Sequence, residues 1–438
     1  MERFLLKALE KWKTSSVRKP LIMRGARQVG KTWLLKEFGK RCFEKCVYVN
    51  FEDTPSLQSM FDTDFDIKRI ITVLEIHSKT RITQGNTLII LDEIQAAGRV
   101  ITSLKYFQEK APEYHVVAAG SLLGISMPDK TSFPVGKVDF LDLHSLSFSE
   151  FLCALGQEQL VEVLKNKDWI TIGIFKEKLL DFLKTYYYIG GMPEVVFLFT
   201  QNNDLNETKH IQKRILNSYE ADFSKHAPNE IVPRIRMVWQ SIPMQLAREN
   251  KKFIYGSLRE GARAKDFELA IQWLLDAGLL IKLNRVSKPE LPLAAFQDFS
   301  TFKLYMHDIG LLSAISGLDA QSLISGNNLF LQFKGALTEQ FVMQQLYQIQ
   351  TDYLGYWTNE RSTYEVDFII QAHGEIIPLE VKAEENLKSK SFSFFREKYK
   401  PKTAIRASLA NYKEELGMTN IPLYSIEYIT DSKQGQNF

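Results

Sequence analysis

The 438 residues are enough for two to four domains. Hydrophobic residues make up 45% and charged residues 24%, which provides for buried cores and excludes a disordered chain. The net charge of +3 excludes a strongly basic whole-protein field, so any nucleic-acid contact must be a local patch.

Met1 to Trp12 alternates charged with apolar residues and is expected to form an amphipathic helix. It lacks the long apolar core and small-residue cleavage site of a signal peptide. No apolar stretch reaches the ~18 residues of a membrane span, so no membrane partner is expected. Cys42, Cys46 and Cys153 form no CxxC pair and no metal-ligand spacing. They fit a reducing compartment, and a cytoplasmic location is expected.

Leu21-Ile22-Met23 is expected to be a buried strand, and Trp33 to Phe38 a helix. Between them lies Gly25-Ala26-Arg27-Gln28-Val29-Gly30-Lys31-Thr32, which fits the P-loop pattern G-x-x-x-x-G-K-[ST] in its required strand–loop–helix setting. Glycines let the backbone approach phosphates, and the loop N–H groups and helix N-terminus favour anions. All eight residues are candidate ATP-binding residues. Lys31 would reach the β- and γ-phosphates, and the Thr32 hydroxyl would ligate Mg²⁺. A strand is expected over Val47–Phe51 and a helix over Ile67–Ile82. Leu88-Ile89-Ile90-Leu91 then ends in Asp92-Glu93, a Walker B pattern. Asp92 would hold Mg²⁺ through water, and Glu93 would act as general base on the attacking water. After a helix at Tyr106–Lys110, the strand His115–Ala119 leads to Gly120-Ser121. Ser121 is a candidate γ-phosphate sensor or, equally, a helix N-cap. Alternating strands and helices imply a parallel sheet with its ligand at the strand C-termini.

Residues 23–32, Asn50-Phe51-Glu52, Leu91-Asp92-Glu93, Gly120-Ser121 and Leu146–Phe151 together resemble the AAA-type P-loop ATPases of bacteria and archaea related to the signal-transduction ATPase lineage. In that family a Gly-Arg pair usually precedes the last run by about ten residues. Here the pair is Gly136-Lys137, and lysine lacks the planar fork of arginine.

Tyr186–Val195, with Gly190-Gly191-Met192-Pro193-Glu194, is expected to be a tight turn after a helix. Phe253–Val286 suggests a helix-turn-helix with a wing. A short helix spans Gly256–Gly261 and a second spans Lys265–Ala277, with Phe267, Ala270, Ile271, Leu274 and Leu275 on one face. Gly278 ends that helix and Leu279–Leu283 opens a hairpin. Asp266, Glu268 and Asp276 on the second helix would repel phosphates, whereas Arg248, Lys251, Lys252, Arg259 and Arg263 could contact a backbone. Protein packing and DNA contact both stay open.

A helix over Gly335–Val342 precedes a strand at Leu354–Trp357 and two strands, Glu365–Ile370 and Ile376–Lys382, joined at His373-Gly374. Asp367, Glu380 and Lys382 would share one face. Two carboxylates and a lysine can bind a divalent metal and activate water beside a scissile phosphate, and Glu339 could add a ligand. Asp53 with Asp66-Ile67-Lys68 fits the same bare pattern but lies outside any apolar hairpin. The C-terminal pattern is similar to the restriction-endonuclease-like fold and to the domain of unknown function that accompanies these ATPases. A helix with core positions Phe392, Phe395 and Tyr399 follows, and Lys388, Lys390, Arg396 and Lys398 face either phosphate or solvent.

The expected fold is α/β: a P-loop NTPase parallel sheet (1–155), a helical lid plus winged helix (156–300), and a restriction-endonuclease-like α/β domain (301–438). A P-loop and nuclease-like carboxylates in one chain point to an ATP-binding and ATP-hydrolysing switch protein whose C-terminal domain binds or cleaves DNA, with Mg²⁺ at the nucleotide and a second divalent metal possible at the C-terminal domain. The alternative is an ATP-gated regulatory or assembly protein with an inactive nuclease-like domain, acting on itself or on a protein partner.

Overall fold

The strand–helix alternation that begins at Leu21 builds a parallel sheet in the computed structural model, which describes residues 1–62, 64–120, 134–320, 328–349, 351–360, 363–384, 389–415 and 417–430. The chain divides into two compact units. One is Glu2–Ser145 with Asp276–Gly278; the other is Met1, Leu146–Leu275 and Leu279–Phe438. Among the described residues no helix is long and apolar enough to cross a membrane.

The first unit begins with α1 (Leu6–Thr14), whose buried Leu6, Leu9 and Trp12 sit three residues apart on one stripe. It continues with β1 (Leu21–Arg24), α2 (Lys31–Cys42), β2 (Lys45–Asn50), α3 (Ile67–Ser78), β3 (Thr87–Asp92), α4 (Arg99–Lys110), β4 (His115–Ala119) and β5 (Asp139–Asp142). The strand order is β2-β3-β4-β1-β5, and every pairing is parallel. Helices on both faces explain why all six residues of β3 are buried. The helix expected to reach Ile82 stops at Ser78, where Lys79 turns left-handed with φ 52°. β5 carries no apolar run to announce it, since half-buried and exposed residues alternate along it.

The second unit opens with helices: α5 (Phe148–Ala154), α6 (Glu158–Lys165), α7 (Trp169–Ile174), α8 (Lys176–Ile189), α9 (Pro193–Asn202), α10 (Leu205–His226), α11 (Val232–Leu246) and α12 (Ala264–Asp276). The expected turn at Gly190-Gly191 joins α8 to α9. A Cβ on Gly191 would lie 2.1 Å from the Leu146 carbonyl oxygen, so only glycine permits that approach. Of the expected helix-turn-helix, α12 is present, and the short helix is a three-residue 3-10 turn, Tyr255–Ser257.

β6 (Leu280–Val286) and β7 (Gln297–Met306) pair antiparallel, as a wing would. β6 also pairs parallel with β8 (Tyr353–Thr358). With α13 (Ile309–Ile315), α14 (Asn328–Gln348), β9 (Glu365–Ala372), β10 (Glu375–Val381), α15 (Lys390–Tyr399), β11 (Ile405–Ser408), β12 (Lys413–Glu415) and β13 (Met418–Pro422), they complete a mixed eight-stranded sheet of order β12-β13-β11-β10-β9-β8-β6-β7. The boundary expected near residue 300 therefore falls inside β7. Gln340 clamps α14 to that strand, accepting from Met306 N at 3.0 Å and donating to Met306 O at 2.6 Å.

Candidate functional sites

The P-loop links the C-terminal end of β1 to the first turn of α2. Gly30 caps α2 with φ 94°, and Gln28 is also left-handed at φ 67°. Gly25 has φ 155°, and a Cβ there would meet the Leu143 carbonyl oxygen at 2.2 Å. The loop is thus wound into a cradle that side chains at its glycines would fill. The Lys31 ammonium folds back on that cradle, donating to Gly25 O at 2.9 Å and Ala26 O at 2.8 Å. Burial lowers its pKa to about 8, against the opposing pull of Glu93 and Asp92.

Asp92 ends β3 beside the loop. Its Oδ2 accepts from Thr32 Oγ1 at 2.6 Å and from the Tyr48 hydroxyl at 3.0 Å, and its Oδ1 accepts from Glu93 N at 3.0 Å. A hydroxyl and a carboxylate in direct contact at the foot of a phosphate cradle are the hard-oxygen donor set that Mg²⁺ takes. The residues fit that ion. Glu93 is held in a left-handed conformation, φ 52° and ψ 46°, which is uncommon for a residue with a side chain. The Gln95 amide donates to Glu93 Oε2 and fixes the carboxylate's direction. The structure therefore brings Lys31, Thr32, Asp92 and Glu93 together. Ser121, the expected sensor or cap, lies outside the described residues. Lys137 pairs with Glu109 at 3.1 Å.

Two participants escaped the sequence reading. Tyr48, in the β2 register opposite Ile90, anchors Asp92; burial and the Asp92 carboxylate push its phenol pKa up. Gln95 orients Glu93 and comes close to Gly120, where a Cβ would stand 2.8 Å from Gln95 Oε1.

The second constellation lies where α14 crosses the sheet of the second unit. Glu380 contacts Lys382 at 2.9 Å. Asp367 accepts from Val381 N at 2.8 Å. Burial, then the neighbouring carboxylates of Glu380 and Glu339, push the Asp367 carboxyl well above its usual range. Glu380 is only 5% exposed, and its Oε2 has no hydrogen-bond partner. The four residues expected from sequence are thus neighbours.

Glu339, expected to add a metal ligand, has both oxygens engaged. Oε1 contacts Lys303 at 3.0 Å and accepts from the Tyr305 hydroxyl, and Oε2 pairs with Lys251 at 2.6 Å. Burial alone would raise the Glu339 carboxyl, but the two ammoniums outweigh it and hold it below its usual range. Lys303 is 0% exposed and also pairs with Glu365 at 2.6 Å. Among the described residues, no group of three or more His, Cys, Asp or Glu side chains could hold a metal ion. Lys303 was the missed residue with a readable signal, because it interrupts the apolar strand run Phe302–Met306.

Three segments of the chain match families of known proteins. Residues 17–152 match the family described as an AAA domain, residues 180–322 a domain of unknown function (DUF8612), and residues 334–426 a second domain of unknown function (DUF4143). No curated protein matches. Similar solved structures include the Walker-type ATPase PABY2304 of Pyrococcus abyssi, 13% identical over 71% of this chain and 94% of that one, with a TM-score of 0.44. The Aeropyrum pernix ORC1 protein in complex with DNA is 12% identical over 72% and 90% of the respective chains, with a TM-score of 0.27. The Thermotoga maritima RuvB Holliday junction branch migration motor is 14% identical over 63% and 86%, with a TM-score of 0.30.

Proposed function

Starting from an AAA-type P-loop ATPase domain at residues 17–152, we propose that this chain is an ATP-binding and ATP-hydrolysing switch protein whose C-terminal domain binds or cleaves DNA with a divalent metal. The observation that carries the ATPase part is the 2.6 Å contact between Thr32 and Asp92 at the mouth of the P-loop. The main-chain N–H groups of residues 25–32 would cradle the phosphates. Lys31 would exchange its carbonyl partners, Gly25 and Ala26, for the β- and γ-phosphate oxygens. Thr32 and Asp92 would hold Mg²⁺, which neutralises charge on the phosphates when bound. Glu93, fixed by Gln95, would accept the proton of the attacking water. Ser121 is proposed to bind ATP as a γ-phosphate sensor, with a helix N-cap as the equal alternative.

For the output, the eight-stranded sheet of the second unit, which takes in β6 and β7, is read as restriction-endonuclease-like, with the helices that precede it as a lid. The orphaned Glu380 Oε2 near Asp367 supports the reading that these two carboxylates would hold a divalent cation, which would supply charge stabilisation at a substrate phosphate. Lys382 would stabilise charge at the scissile phosphate.

A second reading is favoured by Glu339. Its charges are already balanced by Lys251 and Lys303, as in a structural network that needs no metal. In that reading ATP gates contact with another copy or a protein partner. A cleavage assay separates the two, using circular, linear and single-stranded DNA with Mg²⁺ or Mn²⁺, with and without ATP. Cleavage that is lost in Asp367→Ala supports the nuclease reading, and its dependence on ATP supports the switch. Absence of cleavage on every substrate supports the regulator, and cleavage that survives Asp367→Ala removes Asp367 from the cleaving centre.

A further inference from the structure

A second site stands apart from the acidic cluster. Trp169, at the start of α7, and Tyr412, just before β12, stack with ring centroids 4.3 Å apart and planes 3° from parallel. The pair lines a cleft of about 900 Å³ in the second unit, and Lys165 and Lys167 line it too. Lys167 turns the chain between α6 and α7 with a left-handed φ of 53°. The hydroxyl of Ser425, another lining residue only 2% exposed, has no hydrogen-bond partner.

The sheet register separates this cleft from the acidic site. Leu379 pairs with Ile405 and Ile405 with Thr419, while Glu380 pairs with Arg406 and Arg406 with Asn420. Successive strand residues point to opposite faces. Ile405 and Thr419, which line the cleft, therefore face away from Glu380. A ligand in the cleft lies on the reverse face of the sheet from the acidic pair.

The combination has a specific chemistry. A flat aromatic pair offers a platform to a planar base, and neighbouring ammoniums offer charge to a phosphate. Proteins that hold single strands combine these two elements, because the π-face of a base is available only when the strand is unpaired. A volume of about 900 Å³ is at the upper end of ligand-sized clefts, which run to roughly 1,000 Å³. We propose that this cleft binds single-stranded DNA, with a base on Trp169 and Tyr412 and the flanking phosphates at Lys165 and Lys167. The inference rests on the reading that the C-terminal domain engages DNA, and adds to it a metal-independent site.

The test uses the full chain in EDTA without ATP and follows the fluorescence anisotropy of a labelled twelve-nucleotide oligothymidine. Binding is expected to fall about tenfold or more in Trp169→Ala, as for the loss of one stacked base, and to recover in Trp169→Phe. The pair Lys165→Glu with Lys167→Glu is expected to weaken binding and to lower the slope of log affinity against log salt by roughly 1.4, at about 0.7 for each phosphate contact. The thermal unfolding of the lysine variant, followed by circular dichroism, should match that of the wild type, which shows that the second unit is folded. Three results would overturn the inference: no oligonucleotide binding, binding indifferent to all these variants, or thymidine monophosphate binding as tightly as the oligonucleotide. Failure here leaves Asp367-dependent cleavage untouched, and failure of the cleavage reading leaves metal-free binding untouched.

Discussion

Lys303 is the residue on which the second unit's charge network turns. Replacing it with methionine keeps most of its volume and removes its charge. The ammonium lies 3.0 Å from Glu339 and 2.6 Å from Glu365 and is fully buried. At an effective dielectric of about 20, the two contacts are worth roughly 5.5 and 6.4 kcal/mol of gross attraction. Desolvation of the lysine offsets much of that sum, while removal of one partner leaves buried carboxylates uncompensated. The net cost of breaking such a network is about 3–5 kcal/mol. For a unit of this size, about 2 °C of Tm accompanies each kcal/mol, so the expected drop is about 6–10 °C. Thermal unfolding followed by circular dichroism measures it. Lys303→Met combined with Glu339→Gln should recover part of the loss, because the carboxylate left exposed to the mutation is then neutral. A single-variant drop below about 2 °C would refute the view that the Glu339 charge depends on Lys303.

The nucleotide site yields further expectations. Gly25→Ala should abolish binding of a fluorescent ATP analogue, because its Cβ would collide with the Leu143 carbonyl at 2.2 Å; unchanged affinity would contradict the cradle geometry. Asp92→Asn should retain nucleotide but lose the response of hydrolysis to Mg²⁺ concentration, and a wild-type Mg²⁺ titration curve would count against the Thr32–Asp92 pair as the metal-binding set. His115, edge-on to Trp12 and Phe43, has its pKa lowered to about 4 by burial and then by Arg18. Below about pH 6.5 the unfolded chain takes up a proton that the folded chain refuses until about pH 4, so the first unit should lose stability as pH falls through that window. The full shift corresponds to about 3.4 kcal/mol and, discounted for screening, to about 1–3 kcal/mol. His115→Phe should flatten the dependence of Tm on pH in that window, and an unaltered slope would show that other groups cause it.

What could be read from the sequence depended on how local each signal is. The P-loop is eight contiguous residues whose spacing alone carries the geometry, and Asp92-Glu93 ends a strand whose continuous apolar run marks it as buried. The β9–β10 hairpin was legible for the same reason, with His373 and Gly374 both left-handed at its turn. The β6–β7 pair looked like a wing because a hairpin's local pattern does not say which sheet it joins. That depends on β8, some seventy residues further on. The state of Glu339 was likewise beyond local reading, because Lys303 and Lys251 reach it from β7 and from the segment after α11. Only the intrusion of Lys303 and Tyr305 into an apolar strand, two residues apart and so on one face, hinted at a buried polar partner. Tyr48 and Gln95 gave no such hint, since each needs the relative placement of two strands or of a loop to acquire its role.

The most direct test of the ATPase switch is a paired measurement of nucleotide binding and Mg²⁺-dependent ATP turnover on the full chain, comparing wild type, Lys31→Ala and Glu93→Gln. The account predicts that Lys31→Ala loses both binding and turnover. It predicts that Glu93→Gln keeps binding while turnover falls by about a hundredfold or more, as when a general base is removed. Turnover in Glu93→Gln equal to that of the wild type, or a wild type that binds no nucleotide, would contradict it.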